Sequence, residues 1–103
     1  MPPYRLDPVI HAPLRLQICA ILSATDEAEF ALVREETGVS ESVLSKHLKQ
    51  LEEAGYVALR KATLASRQRT WIALTRAGRA AFAAHIEELN RLVSAAGQPV
   101  REG

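Results

Sequence analysis

The chain has 103 residues, of which 48% are hydrophobic, so it is long enough for one small core and too short for two independent domains. It contains 13 Lys and Arg against 12 Asp and Glu, so the bulk charge indicates no polyanionic partner. The single cysteine excludes an intrachain disulfide, and no apolar run approaches the roughly 18 residues that a membrane span needs. We therefore expect one cytoplasmic domain that does not enter a membrane.

Two short helices are predicted in the first third of the chain. The first begins after Pro13 and has one apolar face at helical spacing. That face consists of Leu14, Ile18, Ile21 and Leu22. The second spans Ala28–Thr37 and stops before Gly38, which can adopt the left-handed conformation that closes a helix.

A third helix is predicted over residues 41–54, with Ser40 as its N-cap. Its inward face is apolar and consists of Leu44, Leu48 and Leu51. Its outward face carries small hydroxyl-bearing residues and lysines, namely Ser42, Ser45, Lys46 and Lys49. After the first turn, acidic residues return only in the last turn of the helix. Small residues permit close approach and lysines attract phosphate, so this face is typical of a helix whose N-terminal half enters a DNA major groove.

A β-hairpin is predicted next, because two runs rich in β-branched and aromatic residues, VALRKATL and RTWIALT, flank the segment ASRQ. Trp71 alternates with Ala73, and we expect it to pack in the core between the hairpin and the helices. Six bases and no acid lie between residues 54 and 86: Arg60, Lys61, Arg67, Arg69, Arg76 and Arg79. A basic hairpin tip that follows a helix-turn-helix is a wing, placed to touch the phosphate backbone or the minor groove.

A long last helix is predicted after Thr75, which can cap it. Its apolar residues follow at spacings of four, three and four: Phe82, Ile86, Leu89 and Val93. Glycine and proline in the remaining segment, 95–103, favour a disordered tail, so the predicted domain spans residues 1–94.

The order of these elements resembles the small winged-helix transcriptional regulators of bacteria and archaea, in the neighbourhood of the MarR and ArsR groups. The likeness spans about residues 6–93 and is carried by two motifs. The segment GVSESVLSKHLKQLEEAGYV matches the helix-turn-helix register, and LTRAGR matches the junction between the second wing strand and the dimerisation helix. The resemblance implies a fold that is mainly α with a small β-hairpin, a winged helix-turn-helix with a long C-terminal dimerisation helix.

The same resemblance implies a homodimer that binds duplex DNA near promoters. In such dimers the N-terminal residues and the C-terminal helix usually build the interface. Here that interface would comprise Leu6, Val9, Ile10, Phe82, Ile86, Leu89 and Val93. Two recognition helices roughly 34 Å apart would require an inverted-repeat operator with half-sites about 10 base pairs apart.

The chain also departs from these groups. Its wing lacks the Asp-x-Arg pattern common in MarR proteins, so either Arg67 or Arg69 could reach the minor groove. It lacks the paired cysteines and the carboxylate and histidine clusters of metal-sensing ArsR proteins, so we predict no metal site. No other cofactor and no effector ligand is indicated.

The histidines and the cysteine have ordinary interpretations beside functional ones. We expect His47 to pack or to form a hydrogen bond rather than to read bases. His11 and His85 could meet across a dimer interface in a pH-sensitive or metal contact, although such histidines are more often ordinary surface or interface residues. Cys19 is expected to be a small buried hydrophobic residue rather than a redox sensor.

Catalysis is not indicated, because the chain has no glycine-rich phosphate loop, no serine elbow and no histidine-carboxylate cluster at metal-ligand spacing. The alternative to DNA binding is a winged helix that docks on another protein. We predict a homodimeric, sequence-specific regulator of double-stranded DNA that represses by occupying a promoter. Its predicted DNA-binding residues are Ser40, Ser42, Ser45, Lys46, Lys49, Arg60, Lys61, Arg67 and Arg69.

Overall fold

The computed structural model of the chain describes residues 5–97. In chain order its elements are α1 (Pro8–His11), α2 (Pro13–Ser23), β1 (Ala28–Glu29), α3 (Phe30–Thr37), α4 (Glu41–Glu53), β2 (Val57–Leu64), β3 (Arg67–Leu74) and α5 (Arg76–Gly97). The strands form an antiparallel sheet in the order β1-β3-β2. No helix within residues 5–97 combines the length and the apolar character that crossing a membrane requires. The predicted fold class is confirmed.

The core forms where α2, α3 and α4 meet the inner end of the sheet. The predicted inward face of α4 is confirmed, because its three leucines are at most 1% exposed. Cys19 is completely buried among them, as expected for a small hydrophobic residue. Each fully buried Leu or Ile side chain contributes about 1.5–3 kcal/mol, so this cluster fixes α4 against the rest of the domain.

Two elements near the N-terminus differ from the prediction. Ala28 and Glu29, expected to begin the second helix, instead form β1 and pair with Ile72 and Trp71 of β3. Before the first predicted helix lies the unpredicted α1, whose cap is Asp7: its carboxylate accepts from the backbone N–H groups of the second and third residues of α1. Both elements are too short for residue periodicity to indicate them.

Trp71 lies outside the core, so its predicted packing is wrong. The hairpin register pairs Leu59 with Ile72 and Arg60 with Trp71, which places Ile72 and Trp71 on opposite faces of the sheet. Ile72 fills the core with no exposed surface. Trp71 is half-buried on the other face, where the Arg60 guanidinium carbon lies 5.8 Å from a ring centroid.

Thr75 joins the end of the sheet to α5, and its predicted role as a cap is confirmed. Its hydroxyl accepts from the backbone N–H of Gly78 (2.9 Å) and donates to the carbonyl of Gly55 (2.6 Å). Its own N–H donates to the carbonyl of Tyr56 (3.0 Å). A Cβ on Gly78 would lie 2.0 Å from that carbonyl oxygen, so the glycine in LTRAGR is required by close approach.

The C-terminal helix α5 continues to Gly97 and therefore overlaps the first three residues of the predicted tail. Residues 98–103, the rest of that tail, lie outside the described residues, as do residues 1–4.

A hydrogen-bonded network ties the N-terminal segment to α5 and to the end of α4. Tyr56 donates its hydroxyl to Asp7 (2.6 Å), and the Asp7 N–H donates to Nδ1 of the buried His85 (3.0 Å). Because Nδ1 of His85 is an acceptor, its proton sits on Nε2 and donates to Nδ1 of His11 (3.2 Å). His11 and His85 therefore meet, but within one chain.

Candidate nucleic-acid interface

The start of α4 is fixed by the turn that precedes it. Gly38 adopts φ +72° and donates its N–H to the carbonyl of Arg34 at 2.9 Å, which closes α3. Ser40 then caps α4, since its hydroxyl accepts from the Val43 N–H at 3.3 Å and its carbonyl accepts from the Leu44 N–H at 3.0 Å. The predicted N-cap is confirmed, and the residues of the first turn of α4, 41–43, are exposed.

The outward face of α4 has the character that the sequence predicted. The side chains that lie opposite the buried leucines are all exposed, namely Ser42, Ser45, Lys46 and Lys49. Val43 also stands on this exposed part of the helix, with 40% of its surface accessible. Sequence reasoning did not select Val43, because an apolar residue at the flank of a helix resembles a core residue; an exposed methyl group there suits contact with a thymine methyl.

The hairpin reverses over two residues, Ala65 and Ser66, with φ values of +53° and +66°. Two positive φ values in a two-residue connection give a turn that matches the twist of the strands. The strands run to this turn, so the wing is a regular ribbon with Arg67 beside its tip.

Lys61 lies on the sheet face that is turned towards α4. A cleft of about 290 Å³ separates the two, and its lining includes Ser45, Lys61, Thr70 and Glu41. The structure thus brings Ser45 of the helix and Lys61 of the wing to the two sides of one groove. The Ser45 hydroxyl and the Lys61 ammonium group can donate to a phosphate oxygen there, while Phe30, Leu59 and the Glu41 carboxylate also belong to the lining.

Arg60 and Arg69 lie on the opposite face of the sheet, where both are paired with acids. Arg69 donates to both carboxylate oxygens of Glu29 (3.1 and 3.0 Å), and Arg60 forms a bidentate pair with Glu27. These glutamates come from β1 and the residues just before it. Two of the predicted DNA-binding bases are therefore neutralised away from α4, and of the two candidate wing arginines only Arg67 adjoins the turn.

A third arginine, which sequence reasoning missed, adjoins α4 on its other side. Arg15 of α2 donates through Nη1 to Nδ1 of His47 (3.0 Å) and to the side-chain oxygen of Gln50, and through Nε to the carbonyl of Val9. The expectation that His47 forms a hydrogen bond is confirmed. Burial lowers the pKa of His47, and the positive charges of Arg15 and Lys46 lower it further.

The residues assigned to a dimer interface differ in accessibility. Val93 is 65% exposed, and the others are partly exposed apart from Ile10. Ile10 has no accessible surface within the chain itself, so its side chain belongs to the core and offers nothing to a second chain.

Known proteins are similar to this chain in sequence and in fold. A family model described as winged helix DNA-binding domain matches residues 14–93. An uncharacterised protein of Methanocaldococcus jannaschii is 33% identical over 84 residues, which cover 82% of this chain and 91% of that protein. A transcriptional regulator homologue from Pyrococcus horikoshii OT3 superposes with a TM-score of 0.82 at 23% identity, over 87% of this chain and 89% of that chain. A MarR-family transcriptional regulator from Silicibacter pomeroyi superposes with a TM-score of 0.64 at 25% identity, over 90% of this chain and 62% of that chain.

The family model extends from α2 through the helix-turn-helix and the wing into α5, so it covers both motifs that carried the resemblance. The predicted resemblance to winged-helix transcriptional regulators is confirmed. The chain belongs to the family of winged helix DNA-binding domains.

Proposed function

We propose that the chain is a homodimeric, sequence-specific regulator that represses transcription by occupying a promoter, with α4 in the major groove and the wing against the backbone. The observation that carries this proposal is the distribution of charge around α4. The ion pairs within residues 5–97 join Arg60, Arg69 and Arg91 to glutamates. The bases on the α4 side of the domain and at the wing tip are in none of those pairs: Lys46, Lys49, Lys61 and Arg67.

The roles of these residues follow from their positions. Ser42, Ser45, Lys46 and Lys49 face the floor of the groove, where hydroxyls and ammonium groups donate to base edges or to adjacent phosphates. Lys61 contacts the backbone strand that enters the cleft between α4 and the wing, and Ser40 contacts a phosphate beside the N-terminus of α4. Arg67 reaches the minor groove in preference to Arg69, because Arg69 is held by Glu29 and lies further from the turn.

Dimerisation is proposed through α5 and the N-terminal segment. Phe82, Ile86 and Leu89 are only partly buried by their own chain, and Val93 is mostly exposed. An apolar stripe that its own chain covers only in part is stabilised when a second copy covers it. The dimer would then present two copies of α4 to an inverted repeat with half-sites about 10 base pairs apart.

Selection from random duplex DNA at near-physiological salt tests the proposal. We expect an enriched inverted repeat, and we expect the slope of log affinity against log salt to fall by about 0.9 for each phosphate contact that is removed. Lys49→Ala and Arg67→Ala should each show such a fall, whereas Arg91→Ala, which removes a base on α5 that is paired with Glu88, should leave the slope unchanged. Retention without enrichment would contradict sequence specificity, and no retention would favour a protein-docking winged helix instead.

A further inference from the structure

Arg15 is a cation that neutral acceptors hold in place. Its three hydrogen bonds go to a backbone carbonyl of α1, to a histidine and to a glutamine, and none goes to a carboxylate. The other arginines that form side-chain hydrogen bonds to side chains within residues 5–97 are Arg60, Arg69 and Arg91, and each of these donates to a glutamate. Arg15 is therefore fixed in orientation beside α4, and within residues 5–97 no carboxylate forms an ion pair with it.

The contacts of Arg15 also fix which groups its two partners on α4 present. A guanidinium only donates, so Nδ1 of His47 must accept, and the imidazole proton lies on Nε2. The side-chain oxygen of Gln50 likewise accepts, which leaves its NH₂ group to donate elsewhere. Nη2 of Arg15 has no hydrogen-bond partner among residues 5–97. All three side chains thus have donors available for a further acceptor.

The position of this cluster relates it to the wing. At about 100° per residue, His47 and Gln50 lie on one flank of α4 and Ser45 on the other, with Lys46 between them. Ser45 lines the cleft against the wing, so the Arg15 cluster lies on the far flank. A helix in the major groove has a DNA backbone on either side of it, and the wing accounts for only one of them.

We propose that Arg15, His47 and Gln50 form a binding site for a backbone phosphate of DNA, on the flank of α4 opposite the wing. This inference rests on the proposed DNA-binding function and adds a second anchor to it. The planar guanidinium is suited to a phosphate, and Arg15 lies in the first turn of α2, where the helix dipole also favours an anion. The charged groups that act on His47 are Arg15 of α2 and Lys46 of its own helix, and both are cationic.

The salt dependence of operator binding tests the site through Arg15→Met, with Arg91→Met as a control that removes one charge from α5. We expect Arg15→Met to lower the salt slope by about 0.9 and to weaken binding to all sequences alike, with the selected operator unchanged. Arg91→Met should keep the wild-type slope. If Arg15 merely positioned α4, its loss would alter sequence preference and leave the slope as it was, and that result would overturn the proposal.

A second variant distinguishes the loss of positive charge at the site from a loss of folding in Arg15→Met. Gln50→Glu places a carboxylate where Arg15 already donates, so it neutralises the site without touching Arg15, and it should lower the slope as Arg15→Met does. Thermal unfolding checks that both variants are folded. A Gln50→Glu variant that is folded and keeps the wild-type slope would contradict the site.

Replacement of single phosphates in the operator by uncharged methylphosphonates locates the contact. One phosphate in each half-site should matter to the wild type and not to Arg15→Met, and failure to find such a phosphate overturns the proposal. Wild-type protein that shows no salt-dependent DNA binding would overturn the proposed function together with this site. An intact wild-type response with no effect of Arg15 overturns only the site.

Discussion

Replacement of Gly78 by Ala tests whether the close contact between α5 and Tyr56, in the segment that follows α4, limits the stability of the domain. A Cβ at this position would lie 2.0 Å from the Tyr56 carbonyl oxygen, whereas contacts under 3.0 Å essentially never occur. That carbonyl cannot easily move, because it accepts from the Thr75 N–H while the Tyr56 N–H donates to Leu51 of α4 at 2.9 Å. The helix α5 must therefore shift away by at least about 1 Å, the difference between these two distances.

Two opposing effects determine the size of the change. Overpacking of this kind costs about 1–3 kcal/mol, and a 1 Å shift would also remove the hydrogen bond from Thr75 to Tyr56, worth about 1 kcal/mol. Helix propensity acts in the other direction, because Ala is better than Gly in a helix interior by about 1 kcal/mol. The loss of the hydrogen bond and the gain in helix propensity cancel, so we expect a net loss of about 1–3 kcal/mol, which for a domain of this size lowers Tm by about 4–24 °C.

Thermal unfolding followed by circular dichroism measures this difference. Ala80→Gly on the exposed side of the same helix is the matched control, and it should lose only the propensity difference of about 1 kcal/mol. If propensity alone governed position 78, Gly78→Ala would raise Tm by several degrees. A Tm equal to or above that of the wild type would refute the close-contact reasoning.

Three further predictions follow from other parts of the fold. Burial, and then the charge of His11, lower the pKa of His85, so its neutral form is favoured in the folded state. The stability that the neutral imidazole contributes is complete above about pH 6.5 and is lost as the pH falls through the folded pKa. Urea unfolding at pH 7.5 and 5.5 should therefore show a lower free energy of unfolding at pH 5.5, with a smaller difference in His85→Gln. Ser66→Gly should raise the free energy of unfolding by about 0.5–1 kcal/mol because it relieves a positive φ, and an unchanged urea midpoint would contradict this. Burial raises the pKa of the Cys19 thiol to about 11, so a disulfide reagent at pH 8 should label the unfolded chain rapidly and the native chain slowly.

The elements predicted correctly are those with local sequence signals. Leucines at helical spacing, a serine before the first turn and a glycine that closes the preceding helix together predict α4 within one residue of its observed end. The same reasoning identified the hairpin and the cap at Thr75. In each of these cases the relevant contacts join residues close together in the chain, so periodicity and capping chemistry are sufficient.

The elements predicted wrongly or missed depend on distant partners. Ala28 pairs with Ile72 in β1, although its own neighbours favour a helix. Ile72 is buried in the core in place of the predicted Trp71, because the register of the hairpin, and not the size of the side chain, decides which face is buried. Arg15 contacts His47 and Gln50 more than thirty positions away, so no local pattern could have selected it as part of the candidate site.

The fold brings part of the acidic run of the sequence beside two bases of the hairpin. The acidic run of residues 26–36 precedes and enters α3, and β1 brings part of it beside the hairpin, where Glu27 and Glu29 pair with Arg60 and Arg69. Such partly exposed pairs contribute at most about 1 kcal/mol each, so stability is not their main effect. They neutralise two bases on the back of the sheet, whereas Lys46, Lys49, Lys61 and Arg67 are in no ion pair within residues 5–97. If the chain binds DNA as proposed, these bases attract the polyanion to the side of the domain that carries α4, which orients the encounter before any base is read.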